Sequence, residues 1–149
     1  MLHLIKTIAD QFYNLLSQDP VRPSIPHCDR IGDNKDVFVL RSDDKVRAIT
    51  CISYQSEVPT TESELFAVST VEPTVAIFYT IWSYVPGAGR QLIFDAVDHI
   101  KVIHPSVTRF VTLSPPTDTA RRFHLRNGAE VFRTNLETVN YEYLDKSAS

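Results

Sequence analysis

The segments AIFYTIWSYVPGAGRQLIFDAVDHI (76–100), VTRFVTLSPP (107–116) and FHLRNG (123–128) decide how this chain is read. The first belongs to a run over 74–84 that is almost wholly apolar or aromatic, the pattern of a central strand buried on both faces. Gly87 and Gly89 follow at alternate positions, and Leu92, Ile93, Ala96, Val97, Ile100 and Ile103 then repeat at three and four. That period is a helix packed along one face, and Pro105 stops it. A strand feeding a glycine loop that feeds a helix makes a nest of backbone N–H groups at the positive end of the helix, a cradle for phosphate. Ser114 and His124, two side chains able to act on a substrate, come within about one more strand and helix turn. A phosphate cradle followed by a polar site is the order expected of an enzyme that uses a phosphorylated carrier.

Downstream, residues 109–113 read as another strand, ended sharply by Ser114-Pro115-Pro116. A short helix over about 117–126 closes at Asn127-Gly128, a C-terminal signal of the left-handed type. Residues 129–133 and 139–144 form paired strands around a bend at 134–137, and 145–149 is a frayed tail. Upstream, VFVLR (37–41) and VRAITCISY (46–54) flank the polar turn Ser42-Asp43-Asp44-Lys45 and read as an antiparallel hairpin. A short helical turn is expected near 61–66. The stretch 19–26 contains three prolines and is an extended or turning connector. Residues 2–17 place Leu4, Ile8, Phe12 and Leu15 at helical spacing, so an amphipathic N-terminal helix is expected. The sum is one α/β domain over 1–149, with a mixed, mostly antiparallel sheet of about six strands and three or four helices. Residues 1–30 supply the N-terminal helix and connector.

Bulk properties exclude some classes. Hydrophobic content of 43% and charged content of 22% are ordinary for a globular chain of 149 residues, which is long enough to bury a core without staples. The formal charge of -3, with no basic stripe, argues against general nucleic-acid binding. Cys28 and Cys51 make no disulfide framework and are expected to be reduced. Lys6, Asp10 and Gln11 interrupt the apolar N-terminal run, which is then neither a signal peptide nor a membrane span. A cytoplasmic location is the expectation.

At Tyr84-Val85-Pro86-Gly87-Ala88-Gly89 the order of elements resembles the GNAT superfamily of N-acetyltransferases, whose pyrophosphate loop has the form Q/R-x-x-G-x-G/A. Gly87 and Gly89 match it, and Tyr84 stands where Gln or Arg is usual. Within that superfamily, FYTIWSYVPGAG, TLSPP (112–116), FHLRNGA (123–129) and VNYEY (139–143) are similar to successive signatures of the malonyl-CoA decarboxylase catalytic domain. The similarity runs over about 45–143, with the segment between Ala129 and Val139 shortened. The resemblance implies a coenzyme A thioester as substrate, malonyl-CoA or acetyl-CoA, with no metal. It implies that Tyr84, Val85, Gly87, Ala88, Gly89 and Arg90 hold the coenzyme, and that Ser114 and His124 are the functional pair.

The chemistry suits those types. Decarboxylation of a β-carboxy thioester makes an enolate, which needs donors at the thioester oxygen and an acid for the carbanion. Ser114 could orient the departing carboxylate, and His124, titrating near neutrality, could be the proton donor. Asn127 and Tyr141 are candidates for the substrate side, although Asn127 could serve only as a helix cap; Asn140 and Tyr143 could close the acceptor side together with Tyr141. The hydroxyl of Ser114 could instead cap the helix after Pro116. An alternative activity is transfer of an acetyl group from acetyl-CoA to a small-molecule or protein amine, for which the carboxylates near the long strand are Glu57, Glu62, Glu64 and Glu72. A further alternative is a non-catalytic module of CoA-binding fold. The thioester partner is acyl-CoA or an acyl carrier, and a homodimer is compatible with the resemblance. His27-Cys28-Asp29 is too compact to chelate a metal alone, and no second Cys or His pair has ligand spacing. Cys51, among apolar neighbours, reads as core and not as a nucleophile.

Overall fold

The computed structural model describes residues 1–67 and 71–144. Seven strands form one sheet in the order β1-β2-β3-β4-β5-β7-β6. They are β1 (Leu2–Ile5), β2 (Lys35–Ser42), β3 (Lys45–Gln55), β4 (Val75–Ser83), β5 (Arg109–Thr112), β6 (Glu130–Thr134) and β7 (Val139–Tyr143). Two α-helices, α1 (Ala88–Ile103) and α2 (Asp118–Arg126), accompany three 3-10 turns at Tyr13–Gln18, His27–Arg30 and Glu62–Phe66. All neighbouring strands are antiparallel except β4 and β5, which are parallel and joined through α1, the crossover that parallel pairing requires. Among the described residues, no helix is long and apolar enough to cross a membrane.

The hairpin falls where the sequence places it, with Ser42 opposite Lys45 and Asp43 at φ 55 in the turn. Buried Leu92, Ile93, Ala96 and Ile100 seat α1 on Phe38, Leu40, Ala48 and Ile52 of the sheet. The opposite face is covered by the N-terminal segment, where Phe12, Leu16 and Ile25 pack on Val37, Val39, Ile49 and Ile77.

The N-terminal helix is not formed. Residues 2–5 pair with β2, Leu2 opposite Leu40 and Ile5 opposite Val37, and raise the strand count from six to seven. The apolar spacing is real, but it does not mark one face: Ile5, Phe12 and Leu16 are buried whereas Ile8 is 71% exposed. A free edge on β2 gives the backbone a better partner than an isolated helix would. Asp10 then closes the turn, accepting from the Phe12 N–H at 2.8 Å and pairing with His3 Nε2 at 2.7 Å. The tail 145–149 lies outside the described residues.

The segment between β1 and β2 also buries charge. Asp19 and Arg30 form a 2.7 Å ion pair with both side chains 0% exposed. Asp19 Oδ1 accepts from the N–H groups of Val21 (2.7 Å) and Arg22 (3.0 Å) and from Thr80 Oγ1 on β4 (2.7 Å). Arg30 adds bonds to the carbonyls of Arg22 and Ile25 and a 3.7 Å contact to Cys51 Sγ. Burial pushes the Cys51 thiol up to about 12, so it stays protonated and inert.

Candidate active site

β4 and β5 share a ladder only from Val75–Arg109 to Phe78–Thr112, with one more bond from the Leu113 N–H to the Phe78 carbonyl at 3.1 Å. Beyond it β4 continues to Ser83 beside β3, while the other chain turns away through Ser114-Pro115-Pro116. A bulge puts the register of β4 out of step around Tyr79, where Cys51 pairs with Thr80 and Ile52 with Phe78. The two strands therefore splay, and a cavity of about 230 Å³ opens between them. Its walls include Tyr79 to Ser83, Gly89 of α1, Ser114, and Phe123 and His124 of α2.

Ser114 is 4% exposed, and its backbone N–H and carbonyl are both taken by Val139 at 2.9 Å. Its Oγ lies 2.7 Å from Thr112 Oγ1, and that oxygen also accepts from the Tyr141 N–H at 3.1 Å. The helix cap falls to Thr117, whose Oγ1 accepts from the Ala120 N–H, which leaves Ser114 free of that duty.

His124 is also 4% exposed. Its Nδ1 lies 2.7 Å from the Tyr143 hydroxyl, and its ring stacks on Tyr141 with centroids 5.0 Å apart. Burial lowers its pKa from the ordinary 6.5 to about 4, so it does not titrate near neutrality as its residue type suggests. At pH 7 it is a neutral imidazole. Burial also raises the Tyr143 hydroxyl above the ordinary phenol range, so that group keeps its proton. Either partner can donate in this bond; the tautomer in which Tyr143 donates to Nδ1 carries the imidazole N–H on Nε2.

The two loop glycines are needed for different reasons. Gly87 caps α1 at φ 81, in the left-handed region. Gly89 is helical, and a Cβ there would stand 3.1 Å from the Phe123 ring, so it is the point at which α2 closes on α1. A Gly87→Ala variant is expected to lose about 1–2 kcal/mol from backbone strain alone. Urea titration checks this, and an unchanged midpoint would contradict the strain.

Of the loop residues, Gly89 lines the cavity; Tyr84, Val85, Gly87, Ala88 and Arg90 lie outside its walls. Tyr84 turns away, accepting from Trp82 Nε1 at 3.0 Å and donating to Gln18 Oε1 at 2.5 Å. Val85 packs against the core, its carbonyl accepting from the Ala88 N–H. Arg90 lies over Phe94 and reaches Asn127 Oδ1 at 3.4 Å. Asn127 is indeed the C-cap of α2 and faces a separate cleft beside Arg90, Phe94 and Tyr143; its buried Nδ2 has no partner. Tyr141 meets the site through its ring, stacked on His124, and through its N–H on Thr112 Oγ1, and is not among the cavity's lining residues. Sequence reasoning missed Thr112 as the partner of Ser114 and Arg22 altogether; Tyr143, expected on the acceptor side, bonds the His124 ring. Thr112 sits at i−2 from Ser114 on a strand, a spacing that puts side chains on one face; Arg22 left no such trace.

No protein-family model matches the chain. No curated protein matches it by sequence. Solved structures do. A malonyl-CoA decarboxylase from Agrobacterium vitis superposes with a TM-score of 0.82 at 17% identity, over 98% of this chain and 60% of that chain. One from Rhodopseudomonas palustris gives 0.75 at 18% identity, over 97% of this chain and 56% of that one. A GNAT family acetyltransferase from Elizabethkingia anophelis, solved with acetyl-CoA bound, gives 0.60 at 11% identity, over 95% and 94%. The chain thus spans between 56% and 60% of the length of these decarboxylase chains. A mixed seven-stranded sheet that splays between its parallel strands, and likeness at this level, give the conclusion that the chain has a GNAT-like fold, the fold of malonyl-CoA decarboxylases and GNAT acetyltransferases alike.

Proposed function

We propose that this chain is an acyl-CoA enzyme that decarboxylates a malonyl-type thioester. The observation that carries the reading is the slot between β4 and β5, with buried Ser114 and His124 both on its walls and the first turn of α1 beside it. The leading N–H groups of a helix have no intrahelical acceptor, so that turn suits a pyrophosphate, and the slot suits the thioester arm. When the bond to the carboxylate breaks, CO2 leaves and its electron pair passes into the thioester as an enolate. Thr112, already accepting from the Tyr141 N–H, can donate its own O–H in a hydrogen bond to Ser114 Oγ; Ser114 then keeps its O–H for the carboxylate. His124 acts as a neutral donor, its Nε2–H bonding the thioester oxygen as charge develops there. This replaces the charged proton donor expected from the sequence, and the carbanion takes its proton from water.

Amine acetylation has less support. Two of the carboxylates that could act as its base are held elsewhere, Glu62 by Arg22 at 3.0 Å and Glu64 by Thr60 and Thr61. Incubation with malonyl-CoA, followed by mass, is expected to yield acetyl-CoA and CO2 without an acceptor. His124→Ala and Ser114→Ala should each slow this by about 100-fold or more, the usual loss of an oxyanion donor. Wild-type rates in both variants would refute the assignment, and turnover only with acetyl-CoA plus an amine would favour acetyl transfer.

A further inference from the structure

From the geometry of the splay we infer that Arg22 is the positioning residue that holds β4 and β5 apart and biases the slot toward acyl groups ending in a carboxylate. The inference rests on the acyl-CoA reading of the slot. Past the last bond between β4 and β5, the carbonyls of Tyr79 on β4 and Leu113 after β5 both accept from this one guanidinium: Nε to Tyr79 at 2.8 Å and Nη2 to Leu113 at 2.7 Å. A planar fork can bridge two acceptors at a fixed spacing, which a lysine ammonium cannot do. Arg22 itself is fixed from behind, its N–H on Asp19 Oδ1 and its carbonyl on Arg30 Nη2. Tyr79, Leu113 and Val21, the residue before Arg22, all line the slot.

The charge follows from the same bonds. Left bare, the two carbonyl oxygens would turn negative ends toward anything entering the split. Arg22 is not itself one of the lining residues, but bonded to the carbonyls of two of them its guanidinium sets a cation directly behind the wall of the split. The side chain of Arg22 is 10% exposed, whereas its carboxylate partner among the described residues, Glu62 at 3.0 Å, is 41% exposed and screened by water. A terminal carboxylate on the acyl group is therefore favoured over a neutral acetyl.

The test measures binding of CoA, acetyl-CoA and malonyl-CoA by calorimetry, with backbone amide exchange at residues 79–83 and 113–114. Arg22→Gln is expected to lower the malonyl-to-acetyl affinity ratio about tenfold while plain CoA binds as before, with faster exchange at both strand ends. Arg22→Lys should leave part of the ratio but not the slow exchange. Glu62→Gln, on an exposed partner, keeps both carbonyl bonds and should raise the ratio, so the idea remains testable if Arg22→Gln does not fold. An unchanged ratio in Arg22→Gln, or in Glu62→Gln, overturns the inference and leaves the acyl-CoA reading standing. Failure of wild-type protein to bind plain CoA overturns that reading and the inference with it.

Discussion

Asp19→Ala is expected to lower the unfolding free energy by about 3–5 kcal/mol, the range for breaking a buried ion pair from one side. The side chain removed accepts from Arg30, Thr80 and two backbone N–H groups, and neither it nor the Arg30 side chain is exposed to water. The variant leaves the Arg30 guanidinium buried without its carboxylate, and the loss exceeds what the shortened side chain would cost by packing alone. Because that cost is an orphaned charge, a second substitution should relieve it: Asp19→Ala with Arg30→Met is expected to recover a large part of the stability. Urea unfolding of the wild type, Asp19→Ala, Arg30→Met and the double variant at pH 7 makes the measurement. A single-variant loss below about 1 kcal/mol, or a double variant as unstable as the sum of its parts, would show that the pair contributes little.

The second large effect is on pH. His124 in the folded chain has a pKa near 4, against 6.5 when exposed. Between those values the unfolded chain binds a proton that the folded chain does not, so stability falls as pH drops through this window and levels off below about 4. The integrated contribution is about 3 kcal/mol for a group this deeply buried. Carboxylates also titrate at the acid end, so the informative quantity is a difference. The wild-type stability slope between pH 6.5 and pH 4.5 should exceed that of His124→Gln, which has no imidazole to charge. Identical slopes in the two proteins would mean that His124 is solvated. The same burial predicts that activity will not report an imidazolium ionising near neutrality.

Much of the fold could be read from local pattern. α1 was legible because its face repeats at three and four and because Gly87 and Pro105, which mark its ends, act through their own backbones. The hairpin, β4 and the stop at Asn127-Gly128 were legible for the same reason. The N-terminus was not. Leu4, Ile8, Phe12 and Leu15 have helical spacing, but whether residues 2–5 coil or extend depends on the unpaired edge of β2, more than thirty residues away.

The candidate site divides along the same line. Ser114 and His124 stood out as residues of the right type near a glycine loop, but their environments came from chain segments remote in sequence. Val139 takes the backbone of Ser114, and Tyr143, nineteen residues on, takes the ring of His124. Asp19 and Arg22 read only as parts of an extended or turning, proline-rich connector, yet one is fully buried and the other bridges two strands.

Residue order alone therefore determined the strand, glycine loop, helix and strand at the centre of this chain, because periodicity, Gly and Pro act within a few residues. Tertiary structure alone decided that the strands splay, that an arginine from the N-terminal segment bonds the carbonyls of Tyr79 and Leu113 on either side of the split, and that burial lowers the pKa of the histidine on its wall. Those outcomes depend on burial and on hydrogen-bond partners brought together from dozens of residues apart, and no local pattern encodes them.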